Sequence, residues 1–221
     1  MTLVAASAPV VPVPPTACLR LGVLASGRGT NLQALLDRTE AQQVPARVVA
    51  VVSNRRDALA LERAERVGVP AAVFARADFS SRPAQERAMV EFLREQQVDL
   101  VVLAGYVPVI GPTLLDAYRH RIVNIHPSLL PAFGGTLHAQ ADALHHGVKV
   151  TGCTVHFVTT DVDGGPIVLQ RTVPVLEDDT EESLAARILV EEHEALPEAI
   201  RLIAAGRVQI VGHRIRILPA D

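Results

Sequence analysis

Residues 19–36 read LRLGVLASGRGTNLQALL, and a change of period inside this stretch decides the fold. Leu19 to Ala25 is a nearly continuous apolar run, the pattern of a strand buried on both faces. A Gly-rich turn follows, after which Leu32, Leu35 and Leu36 recur at helical spacing. The stretch is one βα unit.

The alternation continues downstream. Apolar runs at Arg47 to Val52, Ala71 to Phe74, Leu100 to Leu103 and Ile122 to Ile125 read as strands, with helices at Ala58 to Arg66 and Ala84 to Glu95 between them. Such alternation implies right-handed crossovers, hence an α/β fold with a doubly wound, mostly parallel, Rossmann-like sheet. The pattern then changes. Thr151 to Val158 and Pro166 to Val175 are β runs separated only by TTDVDGG at 159–165, and they either pair as an antiparallel hairpin or splay around a loop. A helix from about Glu181 to Ala205 follows, and Val208 to Val211 with Arg214 to Leu218 reads as a terminal hairpin across Gly212 and His213. The C-terminal portion is therefore expected to be antiparallel. Residues 18–221 are expected to form a single domain, with 1–17 a disordered extension.

Composition sets limits on function. With 221 residues and 49% hydrophobic content the chain can build one continuous core, and with 3% aromatics and no Trp that core must be Val, Leu, Ile and Ala. A formal net charge of -3 supplies no global field for a nucleic-acid backbone or an acidic membrane face. No apolar run approaches the roughly 20 residues of a membrane span. The first residues lack a basic start and are broken by Pro9, Pro12, Pro14 and Pro15, unlike a signal peptide. Two cysteines, Cys18 and Cys153, make neither a disulfide framework nor a four-ligand zinc site, which fits a reducing cytoplasm. His138, His145 and His146 fall in a polar helix without a carboxylate or Cys at ligand spacing, so no metal is expected.

Ligands of an open α/β sheet gather at the carboxyl ends of its strands, which singles out loops 26–31, 124–138 and 159–165. In the first, Ser26-Gly27-Arg28-Gly29-Thr30-Asn31 brings loop amides and a helix N-terminus to one spot, suited to a phosphate. Leu32 replaces the third Gly of the dinucleotide fingerprint, and the phosphate-loop Lys is absent, so neither NAD nor ATP is favoured. The plainer alternative is that Gly29 relieves a tight turn and Thr30 or Asn31 caps the helix.

The second loop opens with Asn124-Ile125-His126-Pro127. Residues two apart on a strand point the same way, so an amide donor and an imidazole stand together. Such a pair can receive the negative charge that develops when a carbonyl carbon is attacked. In the third loop Asp161 or Asp163 could return to the same edge, where a carboxylate fixes a histidine's tautomer and favours its charged form. Gly164 and Gly165 would let the backbone pass close to a ligand. No Gly-x-Ser-x-Gly elbow is present and neither cysteine sits in an activating setting, so direct attack by a substrate amine is the simpler chemistry.

SGRGTN at 26–31, LAGY at 103–106, NIHPSLLPAF at 124–133, TVHFV at 154–158 and VDGGPIVLQ at 162–170 occur in one order. From about Leu19 to about Gly206 the chain resembles the phosphoribosylglycinamide formyltransferases, a folate-dependent formyltransferase family of purine biosynthesis. The resemblance implies transfer of the formyl group of 10-formyltetrahydrofolate to glycinamide ribonucleotide, with Asn124, His126 and Asp163 as the catalytic trio. It further implies that Gly29, Thr30 and Asn31 hold the phosphate and Glu192 the glycinamide end. The pterin is implied between Tyr106, Val107, Pro108, Val109 and Ile110 on one side and Thr159, Thr160, Asp161, Val162 and Asp163 on the other, with His156 in a supporting role. Two positions depart from the family pattern. Val107-Pro108 stands where Met followed by Arg or Lys is usual, removing a charge and a backbone donor from the folate wall, and loop 131–138 is one residue longer.

The rivals are a formyltransferase of the same fold acting on methionyl-tRNA, an amino sugar or water, and a silent nucleotide-binding module. The tRNA enzyme would be expected to carry a further C-terminal domain, and the hydrolase an N-terminal regulatory one. The expected setting excludes nucleic-acid and membrane partners and leaves open whether the chain acts as a monomer or a homodimer.

Overall fold

The structure, a computed structural model, describes residues 10–13 and 18–220. Strands β1 (Leu19–Leu24), β2 (Ala46–Ser53), β3 (Ala71–Val73), β4 (Leu100–Leu103), β5 (Ile122–His126), β6 (Val150–Phe157) and β7 (Ile167–Pro174) form one sheet. Its order is β3-β2-β1-β4-β5-β6-β7, parallel through β5 and antiparallel for β6 and β7. The two late β runs thus pair with each other rather than splay. Helices α1 (Thr30–Glu40), α2 (Leu59–Arg66), α3 (Arg82–Glu95), α4 (Pro112–Ala117), α5 (Ala139–His146) and α6 (Glu181–Ala204) cover the sheet, and β8 (Val208–Val211) pairs with β9 (Arg214–Ile217) as a separate hairpin.

Alternation along the strands sorts the core into two layers. Leu21, Val23, Val123, Ile125 and Val155 pack with Leu32 and Leu35 of α1 and Ile188 and Leu196 of α6. Leu24, Val101 and Ile122 pack on the other side with Met89 and Leu93 of α3 and Leu114 of α4. Strands apolar on both faces need helices on both, which is why the sheet is doubly wound. Helix α6 starts at a capping box in which Thr180 and Ser183 exchange side-chain-to-backbone bonds, so its first amides are satisfied internally.

Of the stretch 1–17, expected to be loose, the structure describes 10–13. There Val10 exchanges two backbone hydrogen bonds with Ile210 of β8, and Val13 is buried. The remainder of that expectation lies outside the described residues.

Strands β1 and β4 are neighbours although β2 and β3 intervene in sequence, so their connections leave in opposite directions. The carboxyl edge at this switch point is open to a ligand. Leu24, Leu103 and Asn124 stand level there, and β6 brings His156 to the same level by pairing it with Asn124.

Candidate active site

Two cavities open at this edge. One, of about 630 Å³, lies over the α1 and α6 layer and is lined by residues 27–31, Gln140 and the first turns of α6 down to Glu192. The other, of about 370 Å³, lies on the opposite side and holds Asn124, His126, His156 and Asp163 among apolar side chains. Gly105, Ile125 and Pro127 line both. A ligand in each would therefore meet its neighbour over the end of β5.

The larger cavity is a backbone site. Gly29 caps α1 at φ 67, a left-handed conformation, and a Cβ there would lie 2.8 Å from the Cα of Ala60. Glycine is required both by the turn and by the close approach of α2. No side chain caps α1, so its first amides stay available to an anion. The capping role open to Thr30 or Asn31 is thus not taken up. Asn31 is engaged elsewhere: its Nδ2 donates to Glu192 Oε2 at 2.7 Å. Glu192 is 8% exposed, and burial pushes its carboxyl up to about 7, with the Asn31 bond opposing the shift.

Side chains build the smaller cavity. On β5, Asn124 and His126 point to one face with Ile122. Residues 128–132 after the strand are braced from β6 and β7, because Thr154 Oγ1 donates to the Ser128 carbonyl and accepts from the Leu130 amide. Gln170 Nε2 donates to the Leu130 carbonyl at 3.0 Å. His126 Nε2 donates to the Phe133 carbonyl at 2.9 Å, and its Nδ1 lies 3.4 Å from Asp163 Oδ2. Both ring nitrogens face acceptors, an arrangement only the doubly protonated ring satisfies at once.

Loop 159–165 reaches this spot indirectly. Strand β6 runs antiparallel and passes the edge, so the loop leaves the sheet beyond Val158, whose amide donates to the Ile122 carbonyl, and folds back. Gly165 makes the return feasible: a Cβ there would lie 1.8 Å from the Phe157 carbonyl oxygen. The close passage that sequence assigned to a ligand is, at Gly165, a passage against β6. Asp163 then accepts from the Gly135 amide at 2.8 Å and lies 3.6 Å from His156 Nε2. His156 is the largest influence holding the Asp163 carboxyl down at about 2; the Gly135 bond and the charge of His126 assist, and burial opposes.

His156, 1% exposed, was given only a supporting role by its position in a strand. The structure sets its Nε2 3.2 Å from Asn124 Nδ2, while its Nδ1 donates to the Phe157 carbonyl at 3.1 Å. With the proton on Nδ1, Nε2 accepts from the amide and fixes which end of Asn124 carries the N–H groups. At 3.6 Å the Asp163 contact is longer than a hydrogen bond, and it favours the carboxylate only when Nε2, rather than Nδ1 alone, carries a proton. The sequence carries no direct signal for this pair, since it depends on which residue of β6 stands opposite Asn124.

Of the expected pterin wall, Tyr106 to Ile110, Thr159, Val162 and Asp163 line the cavity, together with Leu103, Leu137 and Val158. Thr160 and Asp161 are not brought to it, because Asp161 turns into a local bond with Thr159 and its carbonyl closes the turn onto the Gly164 amide. The Val107 amide accepts no ligand role in this arrangement, since it donates to Ser26 Oγ at 2.9 Å. Ser26 thereby ties the Gly-rich loop to the wall of the other cavity, a link sequence reasoning missed. His138, His145 and His146 are exposed on or beside α5.

The formyl transferase family model matches residues 19–200. Phosphoribosylglycinamide formyltransferase of Escherichia coli (strain K12) is 40% identical over 192 residues, covering 87% of this chain and 90% of that protein. The trifunctional purine biosynthetic protein adenosine-3 of Drosophila melanogaster is 46% identical over 193 residues, 86% of this chain, and the match spans 14% of that longer protein. The crystal structure of glycinamide ribonucleotide transformylase 1 from Symbiobacterium toebii superposes with a TM-score of 0.90 at 57% identity, covering 92% of this chain and 95% of that one.

Proposed function

The chain belongs to the formyl transferase family, and from that premise we propose that it passes the formyl group of 10-formyltetrahydrofolate to the amine of glycinamide ribonucleotide in purine biosynthesis, in the cytoplasm. The observation that carries this reading is the meeting of an amide-lined cavity and an apolar one over Gly105, Ile125 and Pro127, beside Asn124 and His126. A phosphorylated amine and a flat aromatic donor are the two kinds of molecule those cavities suit.

The apolar side fits a pterin, because Val107, Val109, Leu137 and Val162 are more than half exposed and would be covered by it. When bound, the folate supplies an electrophilic formyl carbon. The attacking amine forms its bond to that carbon, and the bond from carbon to the folate nitrogen breaks. An N–H of Asn124 stabilises the oxygen as it becomes anionic, its amide orientation held by His156. His126 has Nε2 committed to Phe133, so the Nδ1–H shared with Asp163 is its donor toward that oxygen. Asp163, ionised at neutral pH, accepts the proton the amine loses and returns it to the folate nitrogen. Gly29, Thr30 and Asn31 serve the phosphate through main-chain amides, and Glu192 serves the glycinamide end.

The test is a formyl-transfer assay with 10-formyltetrahydrofolate and three acceptors: glycinamide ribonucleotide, an amino sugar and water. Formylation of the ribonucleotide alone is the expected result. Release of formate without an acceptor, or preference for the amino sugar, overturns the assignment.

A further inference from the structure

A dianionic phosphate at the α1 N-terminus would sit in a cavity that also holds the carboxylates of Glu181 and Glu182. Amide dipoles alone would have to outweigh that negative field. Among the lining residues a single Lys or Arg is present, Arg28, inside the Gly-rich loop itself.

Arg28 is also available. Its side chain has no hydrogen bond or ion pair with the described residues, whereas the neighbouring guanidinium of Arg63 is engaged with Gln33. The Arg28 backbone is nevertheless anchored, because Arg63 Nε donates to its carbonyl at 2.8 Å and the Gly27 carbonyl accepts from the Ala60 amide. An anchored backbone carrying an unpaired guanidinium is an arrangement that can meet an anion without reshaping the loop. A second observation points to a ligand in the same place. Asn31 is 8% exposed and lines the cavity, and its Oδ1 is buried without a partner among the described residues, an acceptor that an N–H or O–H elsewhere on a phosphorylated amine would satisfy.

Resting on the function proposed above, we propose that Arg28 is a specificity-determining residue, whose guanidinium pairs with the phosphate of the acceptor and selects a phosphorylated amine over its unphosphorylated counterpart. The pairing offsets the carboxylates of α6, and the planar fork of the guanidinium matches two phosphate oxygens.

Kinetics of Arg28→Gln and Arg28→Lys against the unaltered enzyme, at saturating 10-formyltetrahydrofolate, test this. With glycinamide ribonucleotide, Arg28→Gln is expected to lower kcat/KM by roughly ten- to a hundredfold, through KM, and Arg28→Lys to recover most of it. The dephosphorylated glycinamide ribonucleoside should be used equally poorly by all three, and inorganic phosphate should compete less well against Arg28→Gln. An unchanged KM in Arg28→Gln, or equal losses on both acceptors, overturns the role of Arg28. An unaltered enzyme that does not formylate the ribonucleotide overturns the function instead, so the two failures are distinguishable.

Discussion

The two cavities at the sheet edge are built by different means. The one over α1 uses the backbone: a left-handed Gly29, an uncapped helix start and carbonyls tied to α2. The one over β5 uses side chains from strands and loops far apart in sequence, with Asp163 held by Gly135 and facing both His126 and His156. A backbone site tolerates change in most of its side chains, whereas a site of converging side chains fails when any one of them is removed. That contrast makes quantitative predictions.

The largest effect is expected at the convergent site. Asp163→Asn should lower the rate of formyl transfer by on the order of 10² to 10⁴, because the proton acceptor and the partner of His126 are lost together. The same variant should alter acid stability. The native carboxyl is held down at about 2, so its contribution is complete above the unfolded value of about 3.9 and disappears as pH falls through about 2. Urea unfolding between those pH values should show a steeper loss in the unaltered chain than in Asp163→Asn. A rate within threefold of the unaltered enzyme would break the comparison at its strongest point.

Next in size is Gly165→Ala, whose Cβ would lie 1.8 Å from the Phe157 carbonyl oxygen. Denaturant unfolding should show a loss of more than about 3 kcal/mol, since backbone rather than a flexible side chain must move. Glu192 offers a sharper test through pH. Burial raises its native carboxyl to about 7, against about 4.3 when unfolded, so the folded state retains a proton the unfolded state has lost. Stability should therefore fall as pH rises from about 4.3 to about 7, by on the order of 3 kcal/mol. Glu192→Gln keeps an acceptor for Asn31 and should flatten that slope, as thermal unfolding across the range would show. In the Gly-rich loop, Gly29→Ala should cost roughly 2 kcal/mol for its left-handed φ alone, with a further loss from a Cβ 2.8 Å from the Ala60 Cα, and raise KM for the ribonucleotide by widening the turn.

Much of this was legible before any coordinates. The βα alternation is local, and Leu32, Leu35 and Leu36 do bury the face of α1 that the spacing assigned to them. Strand β4 has the predicted bounds of Leu100–Leu103. The pairing of Asn124 with His126 on one face also followed from the two-residue repeat of a strand. The placement of His156 beside Asn124 comes from cross-strand register, which periodicity does not contain. Thr160 and Asp161, adjacent in the run assigned to the pterin wall, lie outside the cavity lining because the chain turns there, with the Asp161 carbonyl accepting from the Gly164 amide.

By itself, the sequence determined the class of fold and the residue types available for chemistry, because strand and helix periods, glycine turns and proline-flanked loops act over a few neighbours. Tertiary structure alone decided which polar groups meet: that loop 159–165 folds back to bring Asp163 between two histidines, that Asn31 grips Glu192, and that two cavities join over Gly105. Those facts depend on antiparallel register and on the path of a returning loop, and both are set by packing over the whole sheet rather than by local pattern.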